Sequence, residues 1–191
     1  MNSDQSLFGK NIKGGFIMKT KIGYKLFEQD TYGNLYPLFL DNKTIYPIGE
    51  WIKAEVHYSD KFAHRPGLHC GVIPSAPWLM SYGENGNGYY KGRRKGWHRV
   101  WVEVEYNCTI DYNKEVSELK NKCFTDKIPE NGWYFFKEYG KATWIITDKI
   151  KIRKVLTEDE RQEILSWVQY DERKAWLPYK AALEKRKRIV M

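Results

Sequence analysis

The sequence predicts an α+β protein: a compact, mainly antiparallel β core with a few helices and a basic, helical C-terminal tail. Three observations predict it. Residues 97–106 (WHRVWVEVEY) alternate strictly, as a half-buried strand does. Shorter runs rich in aromatic and β-branched residues stand between turn residues along the chain. Two segments, 111–124 and one opening at Thr157, place apolar residues at helical steps.

In chain order, residues 1–18 read as a flexible arm, polar and glycine-containing. Its KNIKGG stretch lacks the Gly-Lys-Ser/Thr ending of a phosphate-binding loop. Residues 22–28 and 35–40 flank Tyr32-Gly33-Asn34 and predict a β-hairpin. Pro37 marks its second strand as an edge or a bulge, because proline has no N–H for a second neighbour. A short extended or helical piece follows at 51–56, after Pro47 and Gly49. In residues 65–80, Pro66, Pro74 and Pro77 forbid a long element. They leave room for a strand at 68–72 and a turn of helix at 75–80, with Pro77 near its start.

Residues 81–96 (SYGENGNGYYKGRRKG) predict a glycine-rich loop. In the strand that follows, His98, Val100, Val102, Val104 and Tyr106 form the core face. Trp97, Arg99, Trp101, Glu103 and Glu105 share the other, directed to solvent or into a cleft. Val116, Leu119 and Cys123 suggest a helix over 111–124. Residues 133–136, 142–147 and 149–155 read as strands. Thr157 and Glu160 form a capping box for a last helix, with Ile164, Leu165 and Val168 as its apolar stripe. Residues 19–168 thus make one α+β domain, with the basic loop at 81–96 and a basic tail at 169–191 interrupted by Pro178. No internal repeat is visible.

The chain has 191 residues, 42% of them hydrophobic, enough for one real core. No run reaches the roughly 18–20 apolar residues of a membrane helix, and residues 1–15 lack the apolar stretch of a secretory signal. No membrane association and a cytoplasmic location are therefore expected. The three cysteines, Cys70, Cys108 and Cys123, are odd in number and widely spaced, as free thiols in a reducing compartment are.

The net charge of +8 is gathered in two places. Residues 91–99 (KGRRKGWHR) hold five Lys/Arg and no acid, and residues 171–191 hold seven against three acids. Clustered cations neutralise phosphates, and interleaved aromatics offer faces on which unpaired bases stack. The candidate polyanion-binding set is therefore Tyr89, Tyr90, Lys91, Arg93, Arg94, Lys95, Trp97 and Arg99, joined by Lys185, Arg186, Lys187 and Arg188. The plain alternative is a solvated loop that keeps the protein soluble. His57, His64, His69 and Cys70 are zinc-ligand types, but their spacing matches no standard site, so ordinary histidines and no metal or cofactor are expected. Arg65, His69, Glu103 and Glu105 form a third candidate, in which a glutamate beside a cleft hydrogen-bonds a ribose or steadies positive charge. Two glutamates on the solvent face of a strand need no such role.

Two resemblances add to this reading. Gly23-Tyr24-Lys25-Leu26-Phe27, Leu35 with Pro37-Leu38-Phe39, Gly49-Glu50-Trp51 with Ala54-Glu55, and Arg65-Pro66-Gly67-Leu68-His69 followed by Pro74, Ala76 and Pro77 resemble a family of small tailed-bacteriophage proteins. Val100-Trp101-Val102-Glu103-Val104 and Ile128-Pro129-Glu130-Asn131-Gly132-Trp133-Tyr134 complete the pattern, which spans about residues 20–165. It implies phage origin and a place in the host cytoplasm, with no settled function. Residues 81–96 and the basic tail lie outside the pattern.

Gly67-Leu68-His69-Cys70 with downstream proline and alanine is also similar to the glycine–aromatic segment of ADP-ribosyltransferase folds. That resemblance implies that His69 contacts NAD and that Glu103 or Glu105 is the catalytic acid. The first strand, Tyr24-Lys25-Leu26-Phe27, departs from the pattern by supplying neither the Arg nor the His such enzymes place there.

The leading expectation is a phage accessory protein that binds nucleic acid or an acidic host or phage protein through the basic aromatic loop. A transferase-like NAD-dependent enzyme and an aromatic-rich virion structural or interaction protein are the alternatives. No nucleophile–base pair stands out, so a binding role is preferred to an enzymatic one. The oligomeric state is left open.

Overall fold

The computed structural model describes residues 17–58, 64–82, 88–89, 92, 94–119, 125–137 and 143–169. The expected arm up to residue 16 and the basic tail from residue 170 lie outside these residues. The alternating segment is strand β7 (His98–Asn107), and it pairs along its whole length with β1 (Thr20–Gln29). β1 turns back into β2 (Leu35–Pro37), giving the expected hairpin. Among the described residues β2 pairs with β1 alone, so the missing N–H of Pro37 falls on a strand that has no second neighbour among them.

Further along come β3 (Trp51–Lys53), β4 (Leu68–Gly71) and a 3-10 turn (Pro77–Leu79). Then follow β5 (Ser81–Tyr82), β6 (Gly88–Tyr89), β8 (Ile110–Asp111) and helix α1 (Asn113–Glu118). β9 (Gly132–Lys137), β10 (Thr143–Thr147), β11 (Lys149–Val155) and α2 (Glu158–Trp167) complete the described elements. The main sheet runs β3-β11-β7-β1-β4-β10-β9-β8, with β2 beside β1. Its strand pairs are antiparallel except β8 with β9. At that parallel contact Gly132 is required, because a Cβ there would stand 2.3 Å from the Ile110 carbonyl oxygen.

One residue, Asp148, separates β10 from β11, yet the two strands belong to opposite flanks of the sheet. The sheet therefore curls back on itself. Asn107 at the end of β7 donates its amide to the Asp148 carboxylate at 2.8 Å, and the Thr147 hydroxyl bonds the carbonyls of Asn107 and Gly132. Across the curl the Tyr106 and Trp133 rings approach to 5.7 Å. The concave face holds Phe27, Cys70, Val102, Val104, Ile145, Ile150 and Ile152 in one cluster with these rings. Each fully buried aliphatic or Phe side chain contributes about 1.5–3 kcal/mol, so this face is the main source of stability.

The outer face is covered too. Trp101 is buried with Leu26, Leu38, Ala76 and Leu156, and Ile164 of α2 packs against them. Val116 of α1 joins Tyr134, Phe136 and Ile146 in a third cluster. The side of β7 opposite its valines is thus partly roofed. Among the described residues no helix is long and apolar enough to cross a membrane.

Three local expectations need correction. The 81–96 loop contains a two-stranded ribbon, Ser81 opposite Tyr89 and Tyr82 opposite Gly88; two-residue strands are too short to show a period. The helix expected over 111–124 ends at Glu118. Leu119 is already extended, and Val116 is its buried residue; residues 120–124, with Cys123, lie outside the described set. In α2, Val168 is 53% exposed, and Arg161 is buried in its stead beside Leu165. Arg161 is four residues before Leu165 and so shares its face. Its guanidinium bonds the Glu158 carboxylate twice and the Pro74 carbonyl, which makes burial tolerable.

The capping box is present as the sequence predicts. The Thr157 hydroxyl accepts from the Glu160 N–H, and the Glu160 carboxylate accepts from the Thr157 N–H. Thr157→Ala is expected to lower stability by about 1 kcal/mol, read as a lower urea midpoint at unchanged slope.

Candidate functional site

The site begins at the β1–β2 turn. Asp30 opens it, and its carboxylate accepts hydrogen bonds from the N–H of Tyr32 and Asn34, the Asn34 amide and the Tyr36 hydroxyl, all at 2.9–3.1 Å. Aspartate suits this position because its short side chain reaches the backbone two residues on. Desolvation works against the charge, but the bonds from Asn34, Tyr32 and Tyr36 outweigh it and hold the carboxyl below its ordinary value.

Tyr36, so positioned, receives the end of the basic loop. Its ring lies 4.6 Å from that of Trp97. The Arg94 guanidinium sits 4.2 Å from the Trp97 ring and 6.0 Å from that of Tyr36, and donates to the Asn42 carbonyl at 3.2 Å. The Trp97 N–H closes the turn onto the Arg94 carbonyl at 3.0 Å. Gly96 has φ +79°, and its Cβ position stands 3.5 Å from the Thr31 methyl. Residues 94–97 are therefore docked on the hairpin by a tilted ring contact, cation–π attraction and one hydrogen bond. Arg94, Lys95 and His98 are exposed, with Lys43 exposed on the segment that follows β2.

The candidate polyanion set divides on this geometry. Arg94, Lys95 and Trp97 share the docked turn. Arg99 is not open to solvent: its Nη1 donates to the Leu79 carbonyl at 2.7 Å, and its Nε lies 3.9 Å from the buried Glu28 carboxylate. It is a structural residue and leaves the set. Tyr89 contributes the backbone of β6. Tyr90, Lys91, Arg93 and the tail residues Lys185, Arg186, Lys187 and Arg188 lie outside the described residues.

The other two candidates are not assembled. Glu105 pairs with Lys151 at 3.1 Å, and Arg153 bridges Glu103 and Glu105 at 3.6 Å each. His69 is on β4, with β1 between it and β7, which puts two strand spacings, about 10 Å, between the backbones. Its Nε2 bonds the Arg65 carbonyl at 3.1 Å, and the Arg65 guanidinium lies over Phe136. A cavity of about 320 Å³ is lined by Lys53, Ala54, Ile128, Glu130, Asp148 and Lys149, none of them a candidate. His64 stacks on Tyr58, and Cys70 and Cys108 are free thiols. Among the described residues no group of three or more His, Cys, Asp or Glu is placed to hold a metal.

One group was missed by sequence reasoning. The Lys25 ammonium is tucked beneath the sheet and donates to the His69 carbonyl at 2.7 Å, where β1 leaves β4 to pair with β2. Burial pulls its pKa down to about 8, and burial with Lys25 nearby pulls His69 down to about 4. Burial pushes the Cys70 thiol up to about 12. The available signal was a lysine on the apolar-flanked face shared by Gly23 and Phe27.

Fold and surface together define a class: a basic, mostly antiparallel β protein with a cationic–aromatic turn docked at one end of its sheet. Compared with protein-family models, curated proteins and solved structures, the chain matches none.

Proposed function

We propose that the protein is a tailed-phage accessory protein that binds nucleic acid in the host cytoplasm through its basic aromatic segment, residues 89–97. The observation that carries this reading is the Arg94–Trp97–Tyr36 cluster. It fixes one end of the basic segment against the hairpin, so exposed cations are held at a defined place. Nearby Asp30 is enclosed by donors from its own turn, and the Glu28 carboxylate is turned inward against Arg99. The resemblance to phage proteins supports the setting. A transferase-like reading lacks comparable support, since His69 and the two glutamates stand on either side of β1.

The test is affinity for single- and double-stranded DNA and RNA from low to physiological salt, for wild type and a Lys91→Ala/Arg93→Ala/Lys95→Ala variant that keeps Arg94, Trp97 and Tyr36. Three phosphate contacts contribute about −2 to the slope of log affinity against log salt on a single strand. That increment is expected to vanish in the variant. Failure of wild type to bind any nucleic acid at low salt overturns the proposal. Salt-dependent binding to an acidic protein alone would assign the segment to a protein partner.

A further inference from the structure

We infer that Tyr32 is the base-stacking residue of this surface and that the nucleic acid it takes is single-stranded. The inference rests on the nucleic-acid reading above and names the substrate class of the same site.

Tyr32 is 90% exposed at the tip of the β1–β2 turn. Exposed aromatics are common singly, and exposure alone carries nothing. What distinguishes this one is the rigidity beneath it. Its own N–H bonds the Asp30 carboxylate at 2.9 Å. The Gly33 N–H bonds the Asp30 carbonyl, the Asp30 N–H bonds the Asn34 carbonyl, and the Gln29 amide bonds the Gly33 carbonyl. Gly33 at φ +90° supplies the conformation that closes the turn. The ring therefore projects from a fixed backbone with only its two side-chain torsions to settle on binding, which lowers the entropic cost of association.

Its position is the second argument. The methyl of Thr31, the preceding residue, stands 3.5 Å from the Cβ position of Gly96, so the hairpin tip that carries Tyr32 lies next to the turn that carries Arg94 and Lys95. The third is the state of the neighbouring rings. Trp97 and Tyr36 are engaged with each other and with Arg94. Among the described residues of this surface, Tyr32 is the ring left open. In a duplex the base faces are covered by their neighbours, whereas an unpaired base exposes a face to stack on. Cations for the backbone and one open, preorganised ring thus fit a single strand.

The experiment measures binding of the full chain to single-stranded and duplex oligonucleotides of the same sequence, and to polyglutamate, for wild type, Tyr32→Ala, Tyr32→Phe and Lys95→Ala. Thermal unfolding checks that Tyr32→Ala, a change at an exposed tip, leaves the fold intact. Tyr32→Ala is expected to weaken single-strand binding about tenfold, with Tyr32→Phe close to wild type and duplex binding unmoved. Lys95→Ala is expected to weaken both nucleic-acid forms. If Tyr32→Ala binds single strands like wild type while Lys95→Ala is impaired, the stacking inference falls and the nucleic-acid reading stands. A wild-type preference for duplex overturns the substrate class. Binding to polyglutamate as tight as to any nucleic acid, or no nucleic-acid binding, overturns the parent reading and this inference with it.

Discussion

Glu28→Ala is expected to destabilise the protein by about 3–5 kcal/mol. Glu28 lies opposite Arg99 in the β1–β7 register, and both point to the outer face. Their side chains are 2% and 11% exposed. Leu26 and Trp101, two residues further along the same face of each strand, are buried in the outer cluster. Removing the carboxylate takes a counter-charge away from a guanidinium in poorly solvated surroundings, and the neutral Leu79 carbonyl does not replace it. The pair itself is a weak net contributor, because both charges were desolvated to form it. Replacing both, as in Glu28→Leu with Arg99→Met, is therefore expected to restore stability to within about 1 kcal/mol of wild type. Urea unfolding of the two variants checks this. A loss under about 1 kcal/mol for Glu28→Ala would mean that the pair behaves as a solvent-exposed one.

Acid is expected to weaken the fold through His69. Burial, helped by the Lys25 and Arg65 charges, lowers its folded pKa to about 4 from an ordinary 6.5. Between these values the unfolded chain takes up a proton that the folded protein refuses. The stability is fully present above pH 6.5 and is lost as pH falls through 4, by up to about 3 kcal/mol. His69→Gln, which keeps a donor for the Arg65 carbonyl, is expected to flatten the profile over pH 4–6.5. On the alkaline side the sign reverses. Lys25 loses its proton near pH 8 in the fold but near 10.5 when unfolded, so stability rises above pH 8. From pH 9 the Cys70 thiol opposes this, ionising first in the unfolded chain. Urea midpoints from pH 4 to 9 should therefore climb steeply, level off, and climb slightly again. An unchanged acid limb in His69→Gln would assign the loss to other groups.

The period of the chain disclosed its strands better than their neighbours. β7, the β1–β2 hairpin, the edge position of Pro37 and the Thr157 cap all follow from local chemistry, and each is present. Alternation says which side chains share a face and nothing about which strand lies alongside. So 142–147 and 149–155 read as successive strands, while their separation to opposite flanks at Asp148 was invisible. The same limit applies to the surface. A run of cations announced Arg94, Lys95 and Arg99 together, although alternation already put Arg99 on the face of Trp101, and there its side chain is covered beside Glu28. Tyr32 read as turn chemistry alone, because nothing local reveals that Gly96 comes to rest beside Thr31.

The corner at Asp148 also dictates an order of events while the chain is being synthesised. Thr20 has no partner until Asn107 has emerged, and the β1–β7 pair has no second flank until β11 follows. The valine face of β7 meanwhile lacks Trp133, Ile145, Ile150 and Ile152, the members of its cluster that come later in the chain. Contacts this distant make for slow folding, and an uncovered apolar strand invites association with other chains. Between the emergence of residues 107 and 155 that face is therefore most open to association with other chains.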